Sequence, residues 1–203
     1  MRNAFWILMR YMHALKSLQS KYIDTSLGFD MIKRIFALSL VSLGALVSLS
    51  SVSHAAKPKE IGKFGDWTSY VLVERGSKVC YMVSRPVKAQ GKYTNRGDIF
   101  ALITHRPAEN TKDVFSYITG YSYKNQSDAS VTIDNKRYTL FTQGDTAWTP
   151  DAEADAKLSK AIRGGSKMTV KGTSSRGTLT TDTYSLKGSG AAYKAISKEC
   201  NIR

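Results

Sequence analysis

The 203-residue chain carries 30 Lys and Arg against 16 Asp and Glu, a formal net charge of +14, with only two Cys and three His. So few Cys and His side chains do not complete the ligand shell of a transition metal. Once the leader described next is removed, the remaining length is enough for one domain but not for two. We therefore expect one basic domain without a metal or another cofactor.

The first predicted element is an apolar segment with the features of a secretory signal peptide. Lys33 and Arg34 form a positive n-region, residues 35–49 form an apolar h-region, and Ser53 and Ala55 place small side chains before a cleavage site. The alternative is a membrane anchor, because the apolar run approaches the roughly 18 residues of a spanning helix. The serines in the run and its small-residue exit favour cleavage.

Processing would divide the chain into three parts. We predict a cytoplasmic or non-native extension over residues 1–30, a signal peptide over 31–55 cleaved near Ala55-Ala56, and a single domain over 56–203. The removed residues carry six basic and two acidic side chains, so the exported domain has a net charge of +10. We expect this domain in the periplasm, or secreted to the medium or the cell surface.

Both cysteines, Cys80 and Cys200, lie in the exported part. An even pair in an oxidising compartment favours a disulfide over a metal or catalytic site. The bridge would close a loop of about 120 residues, for which chain entropy gives about 4 to 5 kcal/mol of stabilisation.

Short β-branched and aromatic runs separated by polar turns follow at the spacing of an all-β protein. The predicted strands are Trp67–Val73, Val79–Ser84, Ile99–His105, Val114–Thr119, Val131–Ile133, Tyr138–Thr142, Lys167–Lys171 and Leu179–Leu186. Residues 86–98 and 120–128 are predicted loops. We expect a single antiparallel β-sandwich, immunoglobulin-like or jelly-roll-like, with one or two short α-helices.

Two local patterns refine this prediction. Asp134-Asn135-Lys136 is predicted to be a hairpin turn, because Asn tolerates the left-handed conformation of tight β-turns. In the strand Lys167–Lys171, alternation places Met168 and Val170 on a buried face and the two lysines on the opposite, solvated face.

Two helices are predicted among the strands. Thr149 is the expected N-cap, Pro150 the first helical residue, and Gly164-Gly165 the end, with acidic residues in the first turns. The apolar stripe of this helix is Ala154, Leu158, Ala161 and Ile162. Its modest size suggests a lid over one end of the sandwich and not a core element. A second helix, over residues 190–198, would deliver Cys200 to its partner.

Six motifs follow one another along the exported part. They are Phe64-Gly65-Asp66-Trp67, Lys78-Val79-Cys80-Tyr81, Thr104-His105-Arg106-Pro107-Ala108-Glu109-Asn110, Thr142-Gln143-Gly144-Asp145-Thr146-Ala147-Trp148, Val170-Lys171-Gly172-Thr173-Ser174-Ser175-Arg176-Gly177 and Thr181-Asp182-Thr183-Tyr184-Ser185-Leu186-Lys187-Gly188. In this order they resemble the invasion-associated locus B proteins of Gram-negative bacteria. The resemblance implies an exported β-sandwich, and members of that family are linked to attachment to or invasion of host cells, a virulence role.

The sequence does not favour an enzyme. His105 is the only histidine of the exported part, and no Gly-x-Ser-x-Gly elbow presents a serine, so a hydrolase around His105 is a minor alternative to a structural histidine. The scattered carboxylates Asp66, Asp98, Glu109 and Asp113 would ligate calcium only if folded together. We predict no catalytic residues, no metal site and no cofactor.

Two further segments are candidates for recognition. Arg96-Gly97-Asp98 is the tripeptide displayed by integrin ligands, but a turn in which Gly97 adopts a positive φ is the simpler interpretation. In the predicted loop 120–128, Tyr121 and Tyr123 with Lys124 are exposed candidates for a glycan or peptide contact.

The other aromatic residues are expected in the core. They are Trp67, Tyr81, Phe100, Phe115, Tyr117, Tyr138, Phe141, Trp148 and Tyr184.

The basic C-terminal third is the dominant electrostatic feature, since residues 157–203 hold ten basic side chains against two acidic ones. We expect Lys167, Lys171 and Arg176 to contact an anionic partner, such as lipid head groups at a membrane surface, an envelope glycan, an envelope protein or a host-cell surface. An ordinary solvated face is the alternative. Nucleic acid suits the charge but not the compartment. The competing function is a periplasmic assembly or stress factor that holds other exported proteins.

Overall fold

Eleven strands and two α-helices make up residues 57–202, the part of the chain that the computed structural model describes. These residues lie within one compact unit, Ser51–Arg203. The predicted extension over 1–30, the signal peptide over 31–55 and its cleavage site lie outside the described residues. Among residues 57–202, no helix is long and apolar enough to cross a membrane.

The strands pair into one antiparallel sheet. They are β1 (Lys59–Phe64), β2 (Trp67–Glu74), β3 (Ser77–Ser84), β4 (Lys88–Gly91), β5 (Phe100–Arg106), β6 (Thr111–Ile118), β7 (Ala129–Ile133), β8 (Lys136–Gln143), β9 (Thr146–Trp148), β10 (Lys167–Thr173) and β11 (Leu179–Ser185). Helix α1 is Ala152–Gly164, α2 is Ser189–Glu199, and a 3₁₀ turn covers Pro107–Glu109. The order across the sheet is β1-β2-β3-β5-β6-β9-β8-β7-β10-β11-β4. The mostly-β, antiparallel prediction is confirmed.

Strand β8 joins two halves of this sheet. Its residues 136–140 pair with β7, whereas its residues 141–143 pair with β9. We call β1, β2, β3, β5, β6 and β9 the first half, and β7, β10, β11 and β4 the second half. The sheet curls until the halves touch: the Tyr117 and Tyr184 rings are 6.3 Å apart, and Trp67 Nε1 donates to the Ser185 carbonyl at 3.1 Å. A division into the two layers of a sandwich stays a prediction.

The core lies between the inner faces of the two halves. Trp67, Phe115, Tyr117 and Tyr184 are fully buried there, as predicted. Tyr138 packs against the edge of this cluster. The other four predicted core aromatics, Tyr81, Phe100, Phe141 and Trp148, are only half-buried. Strand alternation places them on the outer face of the sheet, so their assignment to the core was wrong.

Helix α1 begins later than predicted and is more deeply packed. Its N-cap is Asp151, whose carboxylate accepts from the Ala154 N–H at 2.8 Å, and not Thr149. Thr149 instead donates through its hydroxyl to Asp155. Leu158 and Ile162 are fully buried in the core against β6, so α1 is a core element and not a lid. The predicted end at Gly164 and Gly165 is confirmed.

Helix α2 packs on β1, β2 and β3, and the Cys80–Cys200 disulfide fixes its C-terminal end to β3, as predicted. The turn between β7 and β8 is also confirmed, because Asp134 and Asn135 have φ of 45° and 68°. Strands β1, β4 and β9 were not predicted. Strand β4 lies inside the segment 86–98, which was predicted to be a loop.

Candidate functional site

The outer surface of the second half is polar because buried and outward positions alternate along its central strands β10 and β11. In β10, Met168 and Val170 are buried whereas Lys167 and Lys171 are exposed, which confirms the predicted alternation. In β11, Thr180, Asp182 and Tyr184 are buried, so Thr181 and Thr183 point outward. The pairing of these strands with their neighbours aligns the outward residues in rows.

Two complete rows cross five strands. The first runs Lys88, Thr183, Thr169, Thr132, Arg137, and the second runs Gln90, Thr181, Lys171, Ser130, Thr139. Lys167 lies beside the first row on β10. We call these eleven residues the threonine–lysine face.

The cations surround a centre of hydroxyl groups. Lys88 and Arg137 end the first row, about 19 Å apart across four strand spacings. Lys167 and Lys171 lie about 13 Å apart along β10, on either side of Thr169. All four cations are exposed. The arrangement offers positive charge at four separated points around a patch of threonine hydroxyls.

These cations have no carboxylate partner. None of the eleven residues of the face is Asp or Glu. Within residues 57–202, Lys88, Arg137, Lys167 and Lys171 form no ion pair. Their charge is therefore available to an anion from outside.

The predicted contact residue Arg176 lies in the turn between β10 and β11, at one end of this face. It lines an open depression of about 540 Å³ together with Lys92, Thr178 and Leu179. The Leu179 side chain is 61% exposed and belongs to the row next to Lys171 and Thr181. Lys167 and Lys171 therefore share the outer side of β10, and Arg176 lies in the turn that follows this strand.

The two tyrosines of the predicted contact segment are not exposed. Tyr123 is buried, and its ring packs so closely on Gly172 that a Cβ there would lie 2.6 Å from Tyr123 Cε1. Tyr121 is half-buried, with its hydroxyl 2.7 Å from Thr180 Oγ1. Only Lys124 is exposed. The exposed-tyrosine prediction was wrong because the segment is anchored to the inner face of β10 and β11, opposite the lysines.

The Arg-Gly-Asp tripeptide is not displayed either. The Arg96 side chain is 3% exposed and forms a bidentate pair with Asp182, with Nη1–Oδ1 and Nη2–Oδ2 distances of 2.7 and 2.6 Å. Tyr117 also donates its hydroxyl to Asp182. Burial alone lowers the pKa of the Arg96 guanidinium, but the hydrogen bonds and charge of Asp182 outweigh it and hold this pKa above its usual value.

The glycine of this tripeptide has a packing role. The residue with positive φ is Gly120, at 74°, and not Gly97, which corrects the prediction. The two backbones touch, because Gly97 N–H donates to the Gly120 carbonyl at 2.9 Å. A Cβ on Gly120 would lie 2.5 Å from the Gly97 oxygen. The segment is therefore fastened to the core and does not project as a ligand loop.

His105 lies between the first half of the sheet and α2, fully buried. Its Nδ1 accepts from the Asp113 N–H at 3.1 Å, so the neutral ring carries its proton on Nε2, which is 3.2 Å from Ser197 Oγ. A general base needs the opposite arrangement, an unprotonated Nε2 that accepts from serine. Burial, the main cause, lowers the pKa of His105. The geometry is that of a structural histidine.

The carboxylates considered for calcium do not converge. Within residues 57–202, no three His, Cys, Asp or Glu side chains form a group that could hold a metal ion. Asp113 accepts instead from Ser159 Oγ at 3.1 Å and from the Tyr193 hydroxyl at 2.6 Å. Burial, with this hydrogen bond, raises the pKa of Tyr193 to about 12. Asp98 pairs with Arg85 at the surface.

The outer surface of the first half has a different character. Its half-buried outward residues include two stacked aromatic pairs, Tyr70 with Tyr81 at 5.3 Å and Phe141 with Trp148 at 5.6 Å. Aliphatic side chains lie between them in the paired rows. We call this set the aromatic face: Tyr70, Tyr81, Val83, Leu102, Val114, Phe141 and Trp148.

Sequence reasoning found two of the four face cations, Lys167 and Lys171, and missed Lys88, Arg137 and the threonines. The sequence contained a sign of two of these threonines, because Thr181 and Thr183 alternate with buried positions in a strand that was predicted. Assigning them to one surface needs the register between strands, which the alternation of a single strand does not give.

A family model described as invasion associated locus B (IalB) protein matches residues 67–197. Among solved structures, the chain is similar to the crystal structure of invasion associated protein B from Bartonella henselae, with 14% sequence identity and a TM-score of 0.48, over 69% of this chain and 97% of that chain. No curated protein matches the chain.

Proposed function

The chain belongs to the invasion associated locus B family, and on that premise we propose that it is an exported, non-enzymatic binding protein of the bacterial cell envelope. Its threonine–lysine face holds an anionic partner, either an envelope component or a host-cell surface. If the partner is a host-cell surface, the contact contributes to attachment or invasion. The two halves of the sheet then act as the layers of a β-sandwich that presents this face.

One observation carries the proposal: four exposed cations lie on one surface, and none of them pairs with a carboxylate among residues 57–202. Elsewhere on the described surface, Lys78 pairs with Glu199, whereas Lys63 and Lys160 form no ion pair. The face differs in gathering four unpaired cations around one row of hydroxyl groups. A cluster of like charges repels itself and weakens folding slightly, whereas an anionic partner turns the same charges into attraction. A protein selected only for stability would gain from a carboxylate among Lys88, Lys167 and Lys171.

Two further observations support the export and binding parts of the proposal. The pattern over residues 31–55 is typical of a cleaved signal peptide, which fits a buried disulfide in the exported domain. The tautomer of His105 opposes the hydrolase alternative, because the ring nitrogen next to Ser197 is a donor.

The test compares binding by the wild-type protein, purified after expression of the full chain, with binding by two charge variants. The face variant is Lys167→Glu with Lys171→Glu, and the matched control is Lys160→Glu with Lys194→Glu on the two helices. Binding is measured by co-sedimentation with envelopes of the producing bacterium and with host-cell membranes, at low and high salt.

We expect wild-type binding to at least one preparation, with an affinity that falls as salt is added. The face variant should bind at least tenfold more weakly, about 1.4 kcal/mol, and the helix control should bind like wild type. Binding that is independent of salt, or that both variants weaken equally, would contradict the proposal.

The aromatic face favours a second candidate, an envelope assembly or stress factor that holds exported proteins through apolar contact. Strand addition is a poor route for it, since the edge strand β1 is bulged near Ile61 and β4 has only four residues and begins with Lys88. If Leu102→Lys abolishes envelope binding while Lys171→Glu leaves it unchanged, this second function is correct and the first is wrong.

A further inference from the structure

We infer that the threonine–lysine face binds an anionic polysaccharide, laid across the strands from the Lys88 side to the Arg137 side. This rests on the proposed function and goes beyond it by naming the chemistry of the partner.

The threonine–lysine face lacks large apolar side chains. None of its eleven residues is an aromatic or large aliphatic side chain, and the exposed Val87 and Leu179 lie at its border, next to Lys88 and Thr181. Protein interfaces draw most of their affinity from buried aromatic and apolar anchors. Peripheral membrane binding commonly adds aromatic or aliphatic side chains that enter the lipid boundary. The composition therefore disfavours a protein partner and an inserted membrane contact.

The face also offers a row of hydroxyl groups. Thr132, Thr169 and Thr183 form an uninterrupted row of three hydroxyl-bearing side chains on adjacent strands. Each hydroxyl both donates and accepts hydrogen bonds, as sugar hydroxyls do. Because the threonines are half-buried and β-branched, their χ1 angles are restricted, and ordering them on binding costs little entropy. Hydroxyl-rich sugars match this row better than a bare phosphate does.

The four cations of the face are well separated from one another. The cations lie at the ends of the first row and on either side of its centre, instead of converging on one point. A single phosphate or carboxylate reaches one of them, whereas a chain with repeated acidic groups reaches several. Lys92 and Arg176 around the depression extend the positive surface beyond Gln90. This spacing favours a polymer.

The experiment uses the purified wild-type protein and three probes: heparin, the neutral polysaccharide dextran, and vesicles of phosphatidylglycerol in phosphatidylcholine. Binding is measured by calorimetry across a range of salt concentrations, and envelope co-sedimentation is repeated on the same preparation. We expect heparin to bind and the other two probes to bind at least tenfold more weakly.

Two variants separate hydroxyl recognition from charge. Thr169→Val with Thr183→Val removes two hydroxyls at nearly constant shape, and Thr104→Val is the matched control on the outer surface of the first half. The double variant should weaken heparin binding three- to tenfold without changing its salt dependence. Lys88→Gln with Lys171→Gln should reduce the salt dependence itself. Thermal unfolding verifies that each variant is folded.

The outcomes distinguish this inference from the proposed function. If envelopes bind but heparin does not, or if vesicles bind as tightly as heparin, the polysaccharide inference is wrong and the proposed function stands. Heparin binding that the threonine variant leaves unchanged would show a purely ionic contact and would also overturn the inference. If neither envelopes nor any probe binds, both are wrong.

Discussion

The two halves of the sheet carry opposite outer surfaces on a shared core. The first half presents stacked aromatic and aliphatic side chains, two helices pack on it, and three of its cations, Lys78, Arg85 and Arg106, are paired with carboxylates. The second half presents threonines and four cations that form no ion pair among residues 57–202. The change occurs along β8, where Arg137 and Thr139 are followed by Phe141 in outward positions.

On the proposed function, this difference separates the contacts that stabilise the fold from the surface that binds. The disulfide, α2 and the His105 cluster belong to the first half, so the contacts that fix the fold concentrate there. In the second half the inner positions of β10 and β11 complete the core, and their outer positions are half-buried or exposed. Side chains without a packing role are free to serve binding.

The largest effect on the first half should follow from removing its cross-link. Cys80→Ala with Cys200→Ala should lower the free energy of unfolding by about 4 to 5 kcal/mol, because a loop of about 120 residues becomes unconstrained in the unfolded chain. Urea denaturation measures the loss. A loss below about 1 kcal/mol would mean that packing of α2 on β2 and β3 suffices without the bridge.

The next effect concerns the junction between the halves. Asp182→Asn leaves the buried guanidinium of Arg96 without its counter-charge, which should cost about 3 to 5 kcal/mol. The matched control is Asp98→Asn, since Asp98 and Arg85 form an exposed pair worth at most about 1 kcal/mol. Equal urea midpoints for the two variants would show that the buried pair contributes no more than the exposed one.

Exchanging outer residues between the halves should have unequal effects. Trp148→Thr removes the stacked contact with Phe141 and part of the covered surface, and should cost about 1.5 to 3 kcal/mol. On the other half, Thr169→Val replaces a polar outer residue by an aliphatic one and should change stability by less than about 0.5 kcal/mol. Thermal unfolding monitors both. A loss for Thr169→Val as large as that for Trp148→Thr would remove the distinction between a structural and a binding surface.

The smallest effect is the pH dependence introduced by His105. Burial lowers its pKa in the folded protein, so below the ordinary value near 6.5 the unfolded chain takes up a proton that the folded chain does not. Stability should therefore fall as pH drops below about 6.5, by at most about 1.4 kcal/mol per pH unit. In His105→Gln this contribution should vanish. An identical pH profile for wild type and variant would contradict it.

The sequence predicted what depends on local pattern and missed what depends on pairing. The alternation of Lys167 to Lys171, the turn at Asp134 and Asn135, and the C-terminal helix are local features, and each was confirmed. Whether an aromatic in a strand faces the core depends on which side of the sheet is covered. Phe115 and Trp148 are both aromatic residues in strands, but Phe115 is buried in the core whereas Trp148 is half-buried on the outer face, for that reason.

The residues of the proposed binding face divide in the same way. Lys167 and Lys171 were found because one strand displays both of them. Lys88 was missed because it lies on a four-residue strand at the edge of the sheet, inside a segment whose composition predicts a loop. Tyr123 was misplaced because a loop composition does not reveal that Gly172 opens a space for its ring.

The most direct test places a photo-crosslinking residue at Thr169, in the threonine–lysine face, or at Ser116, between Leu102 and Trp148 on the surface of the first half. Each variant is expressed in the producing bacterium, and its adducts are identified by mass spectrometry after protease and glycosidase treatment. We expect protease-resistant, carbohydrate-containing adducts from Thr169 that disappear in high salt, and none from Ser116. Discrete protein adducts from Ser116, with none from Thr169, would contradict the assignment of binding to the second half.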